Sequence, residues 1–281
     1  MNYFSKISGL ILLTRVVNVF ITFVSVIVAV VICSDITAIN MNIILAAACA
    51  AFVTAAGNVI NDVYDQDSDR INKPYRPIPS GKVSHKEALN LYFSLILISV
   101  IFTYFLNFII FLIIILSHLL LMLYSVRLKK IPLFGNLVVS FLTGFVFIYG
   151  GLIAGNVIAA LIPAGFALLI NLSREVIKTI MDIPGDKSAG IITFPQKYGL
   201  NLSNKLISAF LMLLLILTFI PFLTGFYSIE YFIIVMVTVN PLLIYVIKSL
   251  IEVKEKVNLN KLSFILKLNM IFGLTAIYFG K

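Results

Sequence analysis

The sequence predicts an all-α, polytopic membrane protein with nine transmembrane helices around a central cavity that opens to the cytoplasmic side. Its 281 residues are 61% hydrophobic and only 12% charged, and the mean hydropathy of +1.09 lies outside the range of soluble domains. The apolar residues fall into runs of about twenty, the length that a bilayer core requires. The basic residues collect in alternate connections between these runs. We therefore expect a single membrane domain over residues 1–281.

Nine apolar runs are long enough to cross a membrane. They cover residues 12–33, 41–64, 87–107, 108–127, 136–154, 156–181, 202–224, 231–251 and 260–280. Each run is continuously apolar without a two-residue alternation, which argues against a membrane β-barrel. Pro163, Pro221 and Pro241 interrupt three runs, and we expect packed helix kinks there.

The positions of Lys and Arg predict the orientation. Basic residues occur at Lys6 and in the connections at 70–86, 127–130, 187–197 and 248–261, whereas the remaining connections contain none. The positive-inside rule places this side in the cytoplasm, with the amino terminus inside and the carboxyl terminus outside the cell membrane. The net charge of +9 is thereby explained by topology, and no separate basic domain is present to bind nucleic acid.

A first polar cluster ends the second run, in the segment NVINDVYDQDSDRINKPYRPIPSG that begins at Asn58. At about 100° per residue, one helical face carries Asn58, Asp62, Asp65 and Asp69, with Asn61 beside it. Buried carboxylates are costly in a membrane, so several on one face imply a partner that neutralises them. Clustered oxygen ligands select hard cations such as Mg²⁺. A solvated helix end is the alternative, but it explains only one or two of these residues.

A second polar cluster ends the sixth run. Asn171, Arg174, Lys178 and Asp182 follow one another at three- and four-residue spacing and share a helical face, and Asp186 follows one turn later. Both clusters precede cytoplasmic loops that contain Pro and Gly, which suggests two related halves. We expect the two acidic clusters to face each other at the cytoplasmic side.

Two acidic clusters with interleaved cations fit a magnesium-bound diphosphate better than a bare ion. The cations available for its charge are Lys73, Arg76, Arg127, Lys129, Arg174 and Lys178. A single cation at a membrane edge is more often a lipid or topology anchor, but Arg174 and Lys178 precede the helix end by one to two turns. This arrangement suits ionisation of an allylic C–O bond, since metal and cations stabilise the departing diphosphate and an apolar bore shields the allylic cation from water.

These residues resemble the signatures of the UbiA superfamily of intramembrane prenyltransferases. The first signature is similar to Asn61-Asp62-x-x-Asp65-x-x-x-Asp69 with Arg76-Pro77, the second to Asp182-Ile-Pro-Gly-Asp186, and a third element to Tyr124-Ser-Val-Arg127-Leu-Lys129. Nine spans match the fold of that superfamily. The resemblance implies two Mg²⁺ ions, held by Asn61, Asp62, Asp65, Asp69, Asp182 and Asp186. It also implies catalytic roles for Asp65, Asp69, Asp182 and Asp186, together with Tyr124 and Lys129.

The compact segment DIPGDKSAGIITFPQKYG and the absence of Trp resemble archaeal members that transfer a geranylgeranyl group from its diphosphate to geranylgeranylglyceryl phosphate in ether-lipid synthesis. The alternative is an aromatic acceptor such as 4-hydroxybenzoate in quinone synthesis. We expect an isoprenoid diphosphate, a lipid-linked phosphoglycerol and membrane lipid as partners, and no nucleic acid or obligate protein partner. Asn18 and Asn58 are candidates for substrate contacts, although Asn18 could equally pack helices.

Two further questions stay open in the sequence. The proton of an acceptor hydroxyl could pass to a metal-free carboxylate or to the released diphosphate, whereas His118 has the position of a packing histidine. Intramembrane carboxylates also mark ion pathways, so a cation-coupled transporter is a rival. Both acidic clusters lie on one side, however, and the outer half has almost no ionisable residue.

Overall fold

The computed structural model describes residues 3–34, 39–252 and 258–281, and this part of the chain contains helices and no strands. The helices are α1 (Tyr3–Thr14), α2 (Val16–Cys33), α3 (Met41–Tyr64), α4 (Gln66–Asn72), α5 (His85–Thr103), α6 (Phe108–Val126), α7 (Phe134–Ala154), α8 (Val157–Met181), α9 (Ile183–Ser188), α10 (Phe194–Leu217), α11 (Ile220–Leu223), α12 (Ile229–Ile234), α13 (Asn240–Ile251) and α14 (Leu259–Gly280). A 3₁₀ turn, Leu128–Lys130, follows α6, and a π-helical segment, Val235–Val239, joins α12 to α13.

The predicted nine spans are confirmed for the described residues. Helices long and apolar enough to cross a bilayer are Val16–Cys33, Met41–Tyr64, His85–Thr103, Phe108–Val126, Phe134–Ala154, Val157–Met181, Phe194–Leu223, Ile229–Ile251 and Leu259–Gly280. Two of the connections used to predict orientation include residues 35–38 and 253–257, which lie outside the described residues.

The first predicted span, 12–33, is wrong at its start. Arg15 has a left-handed backbone conformation (φ 54°, ψ 63°) that ends α1 and begins α2. The break frees the carbonyl of Thr14, which accepts a hydrogen bond of 2.8 Å from the Asn58 side chain. It also turns the Arg15 guanidinium towards Asp62 on α3, with which it forms an ion pair. A contact with a distant part of the chain thus overrides the local helical preference.

Small residues allow the spans at the centre of the bundle to approach closely. The α3 span is the most buried of the nine found among the described residues, and its buried face includes Ala46, Ala47, Ala55, Ala56 and Gly57. On α7, a Cβ at Gly144 would meet the backbone of α8, and one at Gly150 would collide with the Ala29 methyl group on α2. Such positions let membrane helices pack backbone to backbone.

Asparagine side chains cap several membrane helices at their starts. The side chains of Asn40, Asn107, Asn156 and Asn258 accept hydrogen bonds of 2.9–3.2 Å from backbone N–H groups at the beginnings of α3, α6, α8 and α14. Ser84 and Glu87 form a reciprocal capping box at the start of α5. These caps satisfy backbone donors that a helix start would otherwise leave unpaired.

The three prolines lie within or beside membrane helices, but the predicted packing holds for only two of them, because Pro241 is exposed. Pro163 is buried inside α8, and Pro221 is buried at the start of α11. Pro241 follows the π-helical segment Val235–Val239, where its missing N–H removes a helical hydrogen bond and the helix widens. The ends of α3, α6 and α8 meet at one end of the bundle, where α4 packs against α9, and this end carries the polar site.

Candidate active site

The acidic residues at the end of α3 stay on one side through a change of helix axis. Asp65 joins α3 to α4, and its N–H donates to the Asn61 carbonyl at 2.9 Å. The N–H of Asp69 in turn donates to the Asp65 carbonyl at 2.8 Å. Because the helical hydrogen bonds continue across the joint, Asn61, Asp65 and Asp69 all line one cavity.

The end of α8 repeats this arrangement. Asp182 joins α8 to α9 with backbone angles of φ −89° and ψ 1°, nearly the values of Asp65 (φ −91°, ψ 3°). Asp186 follows Asp182 by one turn, as Asp69 follows Asp65, and its N–H donates to the Asp182 carbonyl at 3.0 Å. The predicted relation between the two halves therefore extends to their backbone geometry.

The two acidic segments are joined by direct contacts between α4 and α9. Ser68 donates to Asp186 Oδ1 at 2.9 Å. Asn72 Nδ2 donates to the Asp182 carbonyl at 2.8 Å, and Asn72 Oδ1 accepts from the N–H of Gly185 at 2.9 Å. A Cβ at Gly185 would collide with the Asn72 side chain and the Ser68 carbonyl. The clusters thus meet as predicted, and Gly185 permits the approach.

Each of these carboxylates has a hydrogen-bonding or cationic partner in the structure. Lys73 Nζ donates to both oxygens of Asp182, at 2.8 and 2.7 Å. Lys129 forms an ion pair with Asp65. The partners of Asp69 and Asp186 are Arg76 and Ser68, respectively. Positive charge that could reach a bound anion therefore already lies beside the acidic residues.

Burial shifts the ionisation of groups at this end of the bundle. It raises the pKa of the Asp69 carboxyl, a shift that Arg76 opposes, and it raises the pKa of the Asp186 carboxyl, which Ser68 and Lys129 oppose. Burial also lowers the pKa of the Lys129 ammonium to about 8, against the attraction of Asp186 and Asp182. Burial disfavours the charged form of each group, and the opposite charges of its neighbours stabilise that charged form.

Asp62 has a different environment from the other aspartates. Its side chain is 4% exposed and does not line the cavity. It accepts from Arg76 at 3.0 Å and pairs with Arg15. The structure therefore places Asp62 behind two arginines, where it holds them, and does not present it to a ligand in the cavity as the predicted metal role requires.

Tyr124, in the last turn of α6, and Lys129, in the 3₁₀ turn that follows, both line the cavity. Arg127 is exposed and does not line the cavity, so the expectation that Arg127 contacts substrate is not supported by its position. The physical reason is that α6 ends at Val126, and the 3₁₀ turn Leu128–Lys130 redirects the chain. Continued helical periodicity would be needed to bring Arg127 to the face of Tyr124.

Arg174 and Lys178 line the cavity from α8 together with Glu175. Lys178 forms an ion pair with Glu175, and Arg174 lies 3.7 Å from the same carboxylate oxygen. Asn171 also lines the cavity, but its amide donates to Thr143 of α7 at 3.1 Å. The predicted cationic face of α8 is present and is partly neutralised by Glu175.

The cavity has a volume of about 760 Å³, within the range of about 300–1,000 Å³ for small-molecule sites. Asn18 and Asn58 line its polar end. The other lining residues there are Asn61, Asp65, Ser68, Asp69, Lys73, Arg76, Tyr124, Lys129, Asn171, Arg174, Glu175, Lys178, Asp182 and Asp186. Its remaining wall is largely apolar and includes Ile113, Ile114, Leu142, Phe145, Phe147, Phe166 and Leu214. This shape suits a molecule with an anionic head and a long apolar tail.

Sequence reasoning missed four residues of this region. Arg15 and Glu175 were recognisable in principle, because an ionisable residue inside an apolar run marks a functional site. Ser68 and Asn72 join α4 to α9, and no local pattern distinguishes them from solvated polar residues. His118 does not line the cavity; it is buried with Nε2 2.8 Å from the Ser99 hydroxyl, in agreement with the packing role expected for it.

The side chains partly fit a divalent metal. Among the described residues, no three acidic, His or Cys side chains are gathered closely enough to form a ready metal site, since the carboxylates face cations. Asn61 Oδ1, however, is buried and has no hydrogen-bond partner in the described part of the chain. Its unused oxygen and the four cavity-lining aspartates form the all-oxygen donor set that Mg²⁺ prefers.

Comparison with known proteins decides the family. Residues 18–270 match the model of the UbiA prenyltransferase family. The chain belongs to the UbiA prenyltransferase family. It is therefore an intramembrane prenyltransferase.

Curated relatives of this UbiA enzyme, and solved structures of similar proteins, agree with that assignment. The chain is 37% identical over 243 residues to digeranylgeranylglyceryl phosphate synthase of Methanosphaera stadtmanae, covering 86% of this chain and 88% of that protein. It is 36% identical over 230 residues to the synthase of the same name from Methanocaldococcus jannaschii, covering 82% and 80%.

Among solved structures, one from a study of digeranylgeranylglyceryl phosphate synthase in membranes has a TM-score of 0.77 at 32% identity, covering 98% of both chains. A UbiA homologue from Archaeoglobus fulgidus, bound to GPP and Mg²⁺, has a TM-score of 0.64 at 20% identity, covering 96% of this chain and 99% of that one. The second likeness supports the fold.

Proposed function

We propose that this protein transfers a geranylgeranyl group from geranylgeranyl diphosphate to the glycerol hydroxyl of geranylgeranylglyceryl phosphate, as a digeranylgeranylglyceryl phosphate synthase. The observation that carries this proposal is the meeting of Asp65, Asp69, Asp182 and Asp186 at the polar end of a deep apolar cavity. The extent of identity to curated synthases of that name supports the choice of substrates.

The diphosphate head binds at the acidic clusters, and the prenyl tail occupies the apolar part of the cavity. Asn61 and the four aspartates would hold two Mg²⁺ ions, and the GPP- and Mg²⁺-bound homologue supports the use of a divalent metal. When bound, the metal neutralises the phosphate oxygens and stabilises the leaving diphosphate. Lys73, Arg76 and Lys129 neutralise the rest of its charge, and Tyr124 lies in the same wall.

The reaction breaks the allylic C–O bond of the donor, and the bonding electrons leave with the diphosphate. The apolar wall keeps water from the resulting allylic cation. The acceptor hydroxyl oxygen attacks the cation and forms an ether bond, and its proton passes to the released diphosphate. His118 is remote from this step because it does not line the cavity.

The protein spans the cell membrane, and its site opens to the cytoplasmic side. The amino terminus lies inside the cell and the carboxyl terminus outside. The basic connections support this orientation. Among the described residues, Arg76, Lys82, Lys129 and Lys187 all belong to connections at the end of the bundle where α3, α6 and α8 finish.

A transfer assay with the purified protein tests the proposal. Detergent-solubilised protein receives radiolabelled geranylgeranyl diphosphate, Mg²⁺ and either geranylgeranylglyceryl phosphate or 4-hydroxybenzoate. We expect label in the phosphoglycerol product alone, and none after chelation of the metal. Label in the aromatic product alone would assign the enzyme to quinone synthesis, and label in neither would refute both acceptors.

A further inference from the structure

The membrane-spanning helix α14 contains a lysine that the proposed chemistry has not used. Lys267 lies eight residues inside α14 (Leu259–Gly280), and it lines the cavity together with Ser263 one turn earlier. It makes no hydrogen bond or ion pair with any described residue. A charged lysine at membrane depth costs about 2.5–3.5 kcal/mol on insertion scales, so an unpaired one that faces a cavity calls for an anionic ligand.

Packing places Lys267 at the depth of the cationic residues of α8. Leu274 of α14 packs against the cluster that contains Ala164 and Ala167 of α8. These helices are antiparallel because two intervening spans separate them. Seven residues back along α14 therefore correspond to seven residues forward along α8, which brings Lys267 level with Asn171 to Arg174.

The charged side chains around Lys267 have a net positive charge that suits a dianion. Arg174 and Lys178 share the single carboxylate of Glu175, and Lys267 adds a third cation. The net charge of these four side chains is about +2, and a phosphate monoester carries about −1.5 to −2 at neutral pH. Arg174 Nε is also buried without a hydrogen-bond partner among the described residues, so an unused donor lies beside the unpaired lysine.

We infer that Lys267, Arg174 and Lys178 bind the phosphate of the acceptor lipid, in a site separate from the one that holds the donor diphosphate. The inference rests on the proposed function, because geranylgeranylglyceryl phosphate brings a second anion of about −1.5 to −2 charge, whereas 4-hydroxybenzoate carries a single negative charge. The donor has its own cations, Lys73, Arg76 and Lys129, on the α4 side of the cavity. Binding of the acceptor phosphate by α8 and α14 directs the hydroxyl of the same glycerol towards the acidic clusters.

Steady-state kinetics of Lys267→Gln test the inference. With geranylgeranylglyceryl phosphate as the varied substrate, we expect its KM to rise about ten- to a hundredfold, the effect of losing a charge-assisted hydrogen bond. The KM for geranylgeranyl diphosphate and the kcat should stay within about threefold of wild type. Lys267→Arg keeps the charge and should retain most of the affinity. Lys205→Gln removes an exposed lysine of α10 that does not line the cavity and is the matched control.

A second acceptor separates phosphate binding from a general effect. Geranylgeranylglycerol lacks the phosphate, so wild-type protein should use it poorly, and Lys267→Gln should leave the KM for this acceptor unchanged. An unchanged acceptor KM in Lys267→Gln, or a raised KM for the donor alone, would overturn the inference and leave the proposed function intact. Failure of wild-type protein to use geranylgeranylglyceryl phosphate would overturn both.

Discussion

Asp65 and Asp67 are two residues apart, and the structure gives them opposite environments. The Asp65 side chain is 13% exposed, lines the cavity and pairs with Lys129. The Asp67 side chain is 81% exposed and has only a weak contact of 3.9 Å with Arg70. Helical periodicity alone predicted this difference, because residues two apart on a helix point in opposite directions.

The pair provides a test with an internal control. Asp65→Asn should lower the rate of prenyl transfer about 10²- to 10³-fold, since it removes a charge that the metal-bound diphosphate requires. Asp67→Asn should leave the rate within about twofold. Both variants should elute as monodisperse protein at the wild-type volume. Full turnover by Asp65→Asn would remove the metal site from the proposed function.

Asn61 has a buried amide oxygen with no hydrogen-bond partner among the described residues, whereas its amide N–H donates to Asp65 Oδ2 at 2.8 Å. The unpaired oxygen is the atom that a metal would use. Asn61→Leu should raise the Mg²⁺ concentration for half-maximal rate about 10- to 100-fold, in line with losses of metal-site groups. Asn90→Leu removes an exposed amide on α5 and should leave the Mg²⁺ dependence unchanged. An unaltered metal titration in Asn61→Leu would assign the amide to packing alone.

At the scale of secondary structure, the contact of α4 with α9 determines the distance between the acidic clusters. Gly185 lies at the point of closest approach, where a Cβ would meet the Ser68 carbonyl. A backbone carbonyl cannot rotate away as a flexible side chain can, so a larger residue must separate the two helices. The spacing of Asp69 from Asp186 therefore depends on a residue with no chemistry of its own.

Gly185→Ala should abolish most activity and lower the thermal unfolding midpoint, because overpacking costs about 1–3 kcal/mol. Gly165→Ala, in α8 with open space around the position, should preserve activity and leave the midpoint equal or slightly higher, since Ala favours a helix. Activity assays and thermal denaturation of both variants check this. Equal activity of Gly185→Ala and wild type would show that α4 and α9 can separate without harm.

Helices and polar faces were predictable where the length of an apolar run or the helical period determines them. The lengths of the apolar runs predicted nine spans, and the shared faces at Asp62–Asp69 and Asn171–Asp182 predicted where the polar site forms. The break at Arg15 was not predictable, because its cause is the distant Asp62. The placement of Arg127 depends on a 3₁₀ turn that its apolar and basic neighbours do not specify. Contacts across the bundle thus determine what local patterns leave undefined.

At the scale of the whole molecule, the distribution of charge predicts how the bundle lies in the membrane. An impermeant thiol reagent can test this, because the two native cysteines, Cys33 and Cys49, are buried. Lys82→Cys, on the proposed cytoplasmic side, should be labelled only after the cells are opened. Tyr104→Cys, at an exposed position between α5 and α6, should be labelled in intact cells. The reverse pattern would invert the proposed topology.

Arg76 bridges Asp62 and Asp69, two carboxylates that are each 4% exposed. Truncating this arginine would leave the buried Asp69 charge without its ion-pair partner, while Asp62 would keep Arg15, and breaking a buried ion pair costs about 3–5 kcal/mol. An inactive Arg76→Ala enzyme would therefore report failed assembly before it reported on chemistry. Only joint neutralisation, with Asp69→Asn added to Arg76→Ala, would keep the net charge unchanged, because Arg15 still pairs with Asp62. Comparing the single and the double variant would separate assembly from chemistry.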